Sequence, residues 1–203
     1  MVYIEEPEME TLLQEKTDTE TFFLEIANET HNRFAEQISR LYHQSAKNRG
    51  IGIADRPPEY IMRKMKENKG VIALHQSGDL AGFCYIETFS SGKYVANSGL
   101  IVVPEYRRNG LARRIKDKVF SYSRKRYPQA KVFGITTSRA VMKINSELGY
   151  RPVTFAELTR DDEFWDGCAS CPNYEILNAN NRLNCLCTGM LYDPDEDHTN
   201  NQP

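Results

Sequence analysis

The stretch that most constrains this chain is Leu100-Ile-Val-Val-Pro-Glu-Tyr-Arg-Arg-Asn-Gly-Leu-Ala-Arg-Arg-Ile115. An apolar run stops at a proline, a short basic turn with one glycine follows, and an amphipathic helix begins at once. Leu111, Ile115, Val119 and Tyr122 mark one side of that helix, predicted over Gly110–Arg126. The turn and the first helical turn carry backbone N–H groups with no intrahelical partner. They point at one spot and suit a phosphate or pyrophosphate. Gly110 lets such a group approach the backbone closely. Arg107 and Arg108 add charge-assisted contacts.

The surrounding pattern embeds this unit in an α/β fold. Phe22–Ala27 reads as a first strand, and a helix follows from Thr30 to Asn48 with Phe34, Ile38, Leu41 and Tyr42 on one face. Gly50 and Gly52 end it. Pro57 and Pro58 open a second helix whose inner face carries Ile61 and Met65. Three strands at hairpin spacing come next, Val71–Leu74, Leu80–Thr88 and Tyr94–Val103, separated by Gln-Ser-Gly-Asp and Ser-Ser-Gly-Lys turns. Beyond the basic helix, Val132–Thr136 is a strand. Ser138 caps a helix with Val141, Ile144 and Leu148 inward, Gly149 ends it, and Arg151–Phe155 returns as a strand. The predicted order is β-α-α-β-β-β-α-β-α-β with a mixed sheet. The expected organisation is an acidic arm over 1–20, one domain over 21–159, a Cys-rich extension over 160–192 with a short helix and one last strand, and a disordered acidic tail over 193–203.

Composition excludes several classes. At 203 residues with 40% hydrophobic and 27% charged residues, the chain is a globular domain with its own core. Its longest apolar run, Leu80–Ile86, falls far short of the ~18–20 residues that span a bilayer. The acidic N-terminus, MVYIEEPEME, lacks the basic start and apolar stretch of a secretory signal, so a cytoplasmic location and no membrane partner are expected. The net charge of −2 argues against a nucleic-acid partner. Charge is uneven, however. Residues 105–131 hold ten Lys or Arg and two acids, which fits a local anionic ligand or a solvated helix face.

Arg107-x-x-Gly110-x-Ala112 after a V-x-P strand end resembles the acyl-CoA pyrophosphate loop of the GNAT N-acyltransferases. Leu148-Gly149-Tyr150, about forty residues on, stands where that family usually shows Leu-Gly-Phe. The resemblance covers residues 22–155. It implies a mostly antiparallel sheet flanked by helices and acyl transfer from a CoA thioester, acetyl or succinyl, to an amine. It implies that CoA lies along Val102, Val103, Arg107, Arg108, Asn109, Gly110, Leu111 and Ala112. The backbone N–H of Val102 or a neighbour would stabilise the oxyanion. Holding both reactants is worth ~7–11 kcal/mol in good geometry. Many members carry a Tyr that protonates the departing thiolate. That position is Asn145 here, which can hydrogen-bond CoA but not donate a proton usefully. Tyr150 or Tyr192 does the job, or the thiolate leaves unassisted.

The incoming ammonium must lose a proton, and Glu87 at a strand end is the candidate base, directly or through water. The reading for Glu87 as a plain polar strand end stays open. Asn97, Thr136, Thr137 and Arg139, with Lys93 and Lys143 nearby, are candidates for holding the acceptor. More narrowly, Ala96–Pro104, Ile135–Ser138, Met142–Tyr150 and the paired cysteines resemble a bacterial subgroup linked to N-acylglutamate formation at the start of arginine biosynthesis. That resemblance implies a small amino-acid acceptor, with glutamate first. A protein or drug amine, and a non-catalytic acyl-CoA sensor, are the alternatives, followed by a zinc-supported nucleic-acid module. Monomer and homodimer are both open.

Cys168, Cys171, Cys185 and Cys187 cluster late in the chain. The first pair can chelate from a turn, and the second sits at strand periodicity with both side chains on one face. Four thiolates suit a structural zinc; free thiols and disulfides are the other readings, and no catalytic part is expected for the extension. Cys84 is expected in the core. His31, His43, His75 and His198 have no partners at ligand spacing and are read as ordinary polar residues.

Overall fold

The computed structural model describes residues 21–49 and 56–197. The expected arm over 1–20, Gly50 and Gly52, and His198 with the rest of the tail lie outside the described residues. Seven strands form one sheet: β1 (Phe22–Ala27), β2 (Gly70–His75), β3 (Leu80–Phe89), β4 (Tyr94–Val102), β5 (Lys131–Thr136), β6 (Arg151–Val153) and β7 (Thr188–Tyr192), in the order β1-β2-β3-β4-β5-β7-β6. Every pairing is antiparallel except β4 with β5. The helices are α1 (Ala35–Arg49), α2 (Pro58–Lys66), α3 (Leu111–Arg126), α4 (Arg139–Glu147), α5 (Asp162–Asp166), α6 (Tyr174–Ala179) and α7 (Pro194–Asp197). None of the helices among the described residues is long and apolar enough to cross a membrane.

Strand alternation splits the core between the two faces of the sheet. Val71, Ala73, Cys84, Ile86 and Val95 point to the face covered by Leu111, Ile115 and Val119 of α3. Ile72, Phe83, Tyr85 and Ile101 point to the opposite face, covered by Ile38 and Tyr42 of α1 and Ile61 and Met65 of α2. Cys84 is fully buried, as expected. The predicted helix from Thr30 begins instead as a 3-10 turn over Glu29–Phe34. Asn28 and His31 cap that turn through reciprocal hydrogen bonds, so His31 has a structural part there.

Two features depart from the sequence reading. The strand expected at the end of the extension, β7, inserts between β5 and β6 and pairs with both. The boundary drawn at 159/160 therefore runs through a single sheet. A third core of Phe89, Ala96, Phe133, Phe155, Leu158, Trp165, Leu177 and Leu191 binds residues 160–192 to it. The tail expected to be disordered from 193 starts with an anchor: Asp193 pairs with Lys131 at 2.5 Å, and Glu196 of α7 makes two 2.8 Å hydrogen bonds with Arg151.

Candidate active site

β4 positions the site because it belongs to the sheet along only part of its length. It pairs with β5 from Tyr94 to Ala96 and then diverges. Its pairing with β3 shifts register between Ser98 and Ile101, where Gly99 and Leu100 together oppose Cys84. This extra residue is a β-bulge, which bends the strand. Gly99 has φ +65°, and a Cβ there would sit 2.2 Å from Tyr85 Cε1 and 2.7 Å from the Tyr42 hydroxyl. Glycine is required on both counts.

The divergence opens a cavity of about 200 Å³. Lys116, Asn145 and Val141 line it from α3 and α4, Tyr85 and Glu87 from β3, and Asn97 to Leu100 from β4. The cavity thus passes through the sheet at the split. Val103 N–H donates to Ala81 O at 2.9 Å, so Val103 faces β3. Amides alternate along a strand outside a bulge, so that of Val102 faces the gap. Leu100 is on the cavity wall and Val102 is not. Leu100, at the bulge, is thus the neighbour of Val102 that lines the cavity. The sequence alone did not single out Leu100, because nothing in its local pattern marks a bulge.

The predicted turn has the expected form. Pro104–Tyr106 is a single 3-10 turn, Arg107 is extended, Arg108 has φ +72°, and Gly110 at φ +70° occupies the N-cap of α3 with no side-chain cap. The N-terminal amides of α3 at Leu111 and Ala112 face outward from this turn. A Cβ at Gly110 would meet nothing within 4 Å, so the space in front of the loop is open. Arg107 Nε donates to Val102 O at 3.1 Å and ties the loop to the strand end. Arg107, Arg108, Asn109 and Gly110 are all exposed.

Glu87 is on the cavity wall, on the face of α1 and α2. It accepts a short hydrogen bond from the Tyr60 hydroxyl and has Lys64 Nζ at 3.7 Å. Arg56, also on the wall, donates from Nε to the Tyr85 hydroxyl at 2.8 Å. The Tyr60 and Tyr85 rings meet edge to face at 5.6 Å. Burial raises the Tyr85 hydroxyl to about 12 and pushes Tyr60 higher still, so both are hydrogen-bond donors at neutral pH. Arg56, Tyr60 and Tyr85 were not anticipated. Helical spacing makes Tyr60 look like ordinary core, and Arg56 lies before its helix with no signal at all.

Asn97, Thr136 and Thr137 share the cavity, whereas Arg139 and Lys143 are exposed and off its wall. Lys93 is off the wall too. Tyr150 is buried and receives a 3.1 Å hydrogen bond from Asn97 Nδ2, and Ser123 Oγ donates to Asn97 Oδ1 at 2.7 Å. Burial raises the Tyr150 pKa well above its ordinary value. Neither Tyr150 nor Tyr192 borders the cavity. Tyr192 instead packs on Phe120, with the Arg124 guanidinium over its ring.

The extension, given no part in the chemistry by sequence, closes one end of the cavity through Glu163, Phe164, Gly167, Cys168, Cys171 and Cys187. The reason is tertiary. The Phe164 ring stacks edge to face on Phe89 and Phe133, and the Asp161 carboxylate accepts from the Ser90 amide at the β3–β4 turn. The four cysteines are neighbours, but among the described residues no three His, Cys, Asp or Glu side chains are placed to hold a metal ion. All five cysteines are free, and burial raises Cys168 to about 11 and Cys187 to about 12, so both are neutral thiols.

Comparison with known proteins agrees with this geometry. No curated protein matches the chain. Among solved structures, N-acetylglutamate synthase from Neisseria gonorrhoeae, complexed with coenzyme A and N-acetyl-glutamate, superposes at TM-score 0.60 and 17% identity over 85% of this chain. This chain spans 35% of that synthase. A Mycobacterium tuberculosis protein complexed with CoA superposes at TM-score 0.61 and 15% identity, covering 84% of this chain and 98% of the other. Phosphinothricin acetyltransferase from Sinorhizobium meliloti, in complex with acetyl-CoA, gives TM-score 0.57 at 15% identity over 85% and 88% of the two chains. The sequence model of the acetyltransferase (GNAT) family matches residues 35–141, from the start of α1 through the basic turn into α4. The chain belongs to the GNAT family of acetyltransferases.

Proposed function

We propose that this protein transfers an acyl group, acetyl before succinyl, from CoA to the amine of a small acidic amino acid, with glutamate first. The observation that carries the reading is the cavity that crosses the sheet at the β4–β5 split. It has the bulged strand at its middle, Glu87 and Arg56 toward one face, and the α3 and α4 side chains toward the other. A donor held at the turn over 107–112 threads its thioester into the gap from the α3 side. The acceptor enters from the side of α1, α2 and the extension.

In this reading Glu87, or a water it holds, takes the proton of the acceptor ammonium. The free amine attacks the thioester carbon, and the oxyanion meets a backbone amide of β4 at the gap. Tyr60 and Lys64 keep the Glu87 carboxylate in place. Arg56 is the cation suited to an acceptor carboxylate, because a guanidinium binds carboxylates in a two-pronged fork. Asn97, Thr136 and Thr137 supply neutral polar contacts. A cavity of about 200 Å³ with an end wall from the extension suits a free amino acid better than a protein chain. The synthase neighbour holding N-acetyl-glutamate supports the choice of glutamate. The test is CoA-thiol release measured across the free amino acids with acetyl-CoA and succinyl-CoA. Release with acidic amino acids is expected. Release with none would leave a protein or drug amine, or an acyl-CoA sensor, as the better account.

A further inference from the structure

Lys116 has no evident reason to be where it is. It lies on the buried stripe of α3 with Ile115, Val119 and Ser123, and is 2% exposed. Its ammonium forms no ion pair or hydrogen bond with any described residue. An unpaired charge in such a place is costly, and an apolar residue of similar volume would be the stable choice. Lys116 also lines the cavity, as does Asn145, whose Oδ1 is buried without a hydrogen-bond partner. Two polar groups without a hydrogen bond thus border the same gap, one a cation over the Tyr150 ring and one an acceptor. They sit on the donor side of the sheet, away from Glu87 and Arg56.

The groups facing Lys116 offer no counter-charge. β3 presents the Cys84 thiol, which burial raises to about 11, so that it stays neutral. The Tyr150 ring, beyond α4, lies 5.5 Å from Nζ, and its hydroxyl is neutral too. α4 presents Asn145, and β4 presents Asn97 and Ser98. Burial lowers the Lys116 pKa, with Cys84 as the opposing influence.

We propose that Lys116 is the general acid of this enzyme, donating the proton from its ammonium to the departing CoA thiolate in the gap that it borders together with Asn145. The inference rests on the donor reading above. The C–N bond forms as the amine adds to the thioester carbon, and the C–S bond breaks as the tetrahedral intermediate collapses. The sulfur takes its proton from Nζ, and the acceptor nitrogen loses two protons, one before attack and one as the intermediate collapses, each passing through Glu87 to water. Neutral Lys116 recovers a proton from water once the thiol departs. This fills the position left by Asn145, which cannot act as an acid. A lysine made more acidic by burial also transfers its proton to a thiolate more readily than an exposed one.

The test uses Lys116→Met and Lys116→Gln, two variants of similar volume that remove the charge. The first readout is the ultraviolet absorption of the CoA thiolate in the complex as pH rises, with desulfo-CoA as the blank. It needs no acceptor. In the wild type the bound thiol titrates below free CoA. In both variants its apparent acid constant falls at least tenfold. The second readout is turnover, expected to fall by roughly 10²–10⁴-fold with acetyl-CoA, and by much less with an acetyl thioester of a more acidic aryl thiol. Lys116→Met is expected to melt no lower than the wild type, because it removes an uncompensated charge. A bound thiol that titrates alike in all three proteins, or a variant within twofold of wild-type turnover, overturns the assignment to Lys116 and leaves the donor reading intact. Failure of the wild type to bind CoA overturns both.

Discussion

The Tyr42 hydroxyl donates to the carbonyl oxygen of Gly99 at 2.5 Å, joining α1 to the bulge of β4. Tyr42 is almost fully buried, and Tyr85 packs against the same glycine. The bulge is thus held by two tyrosines from different elements at the point where the strand leaves the sheet.

That relationship predicts the effect of Gly99→Ala. The new methyl would strike Tyr85 and Tyr42. Overpacking costs ~1–3 kcal/mol, and the left-handed backbone adds ~1–2 kcal/mol. Urea unfolding should show a loss of a few kcal/mol, with a matching fall in CoA affinity. An unchanged midpoint would show that the bulge relaxes freely.

At the loop, Gly110→Glu should weaken CoA binding at least tenfold in calorimetry while the protein stays folded. Its carboxylate would enter the space in front of the α3 amides and repel a pyrophosphate there. Affinity equal to wild type would remove the 107–112 turn as the donor site.

Glu87→Gln keeps the shape and the partnership with Tyr60 but removes the base. The expected loss in kcat/KM is roughly 10²–10⁴-fold across the pH–rate profile. A profile of the same height and shape would take Glu87 out of the mechanism.

Arg56→Gln is expected to raise the acceptor KM tenfold or more with a smaller change in kcat, because uniform binding of a carboxylate is lost. Arg139→Ala, on the exposed start of α4, should change KM little. The reverse pattern would return the acceptor carboxylate to the α4 side.

The buried thiols make an alkaline prediction. Cys84 and Cys168 rise to about 11 and Cys187 to about 12 against an ordinary value of 9.0, with burial the largest cause in each and neighbouring cysteines adding to it at Cys168 and Cys187. Above pH 9 the unfolded chain releases these protons while the folded chain keeps them. The stability from keeping these thiols neutral is full below pH 9 and is lost as pH rises toward 11–12. Tm should therefore fall between pH 9 and 11, and Cys84→Ala with Cys168→Ala should flatten the slope. An equal slope in the double variant would assign the loss to other groups.

Local chemistry determined much of this protein without reference to the rest of the chain. Val-x-Pro ending a strand, an αL glycine at 110 opening a helix, Ser138 and Gly149 bounding another, and the turn residues between β2, β3 and β4 all act within a few residues. They were legible for that reason, and so was the GNAT loop they build. Strand order is a different matter, because β7 reaches its place between β5 and β6 through pairings about forty to sixty residues away in sequence. No local pattern records such a choice. The same holds for the site beyond the loop. Arg56, Tyr60, Leu100 and Lys116 belong to four segments, and only packing brings them around one gap. The sequence singled out Arg139 and not Arg56, although both are arginines near helix starts. The tertiary structure separated them by turning one into the cavity wall and the other to solvent.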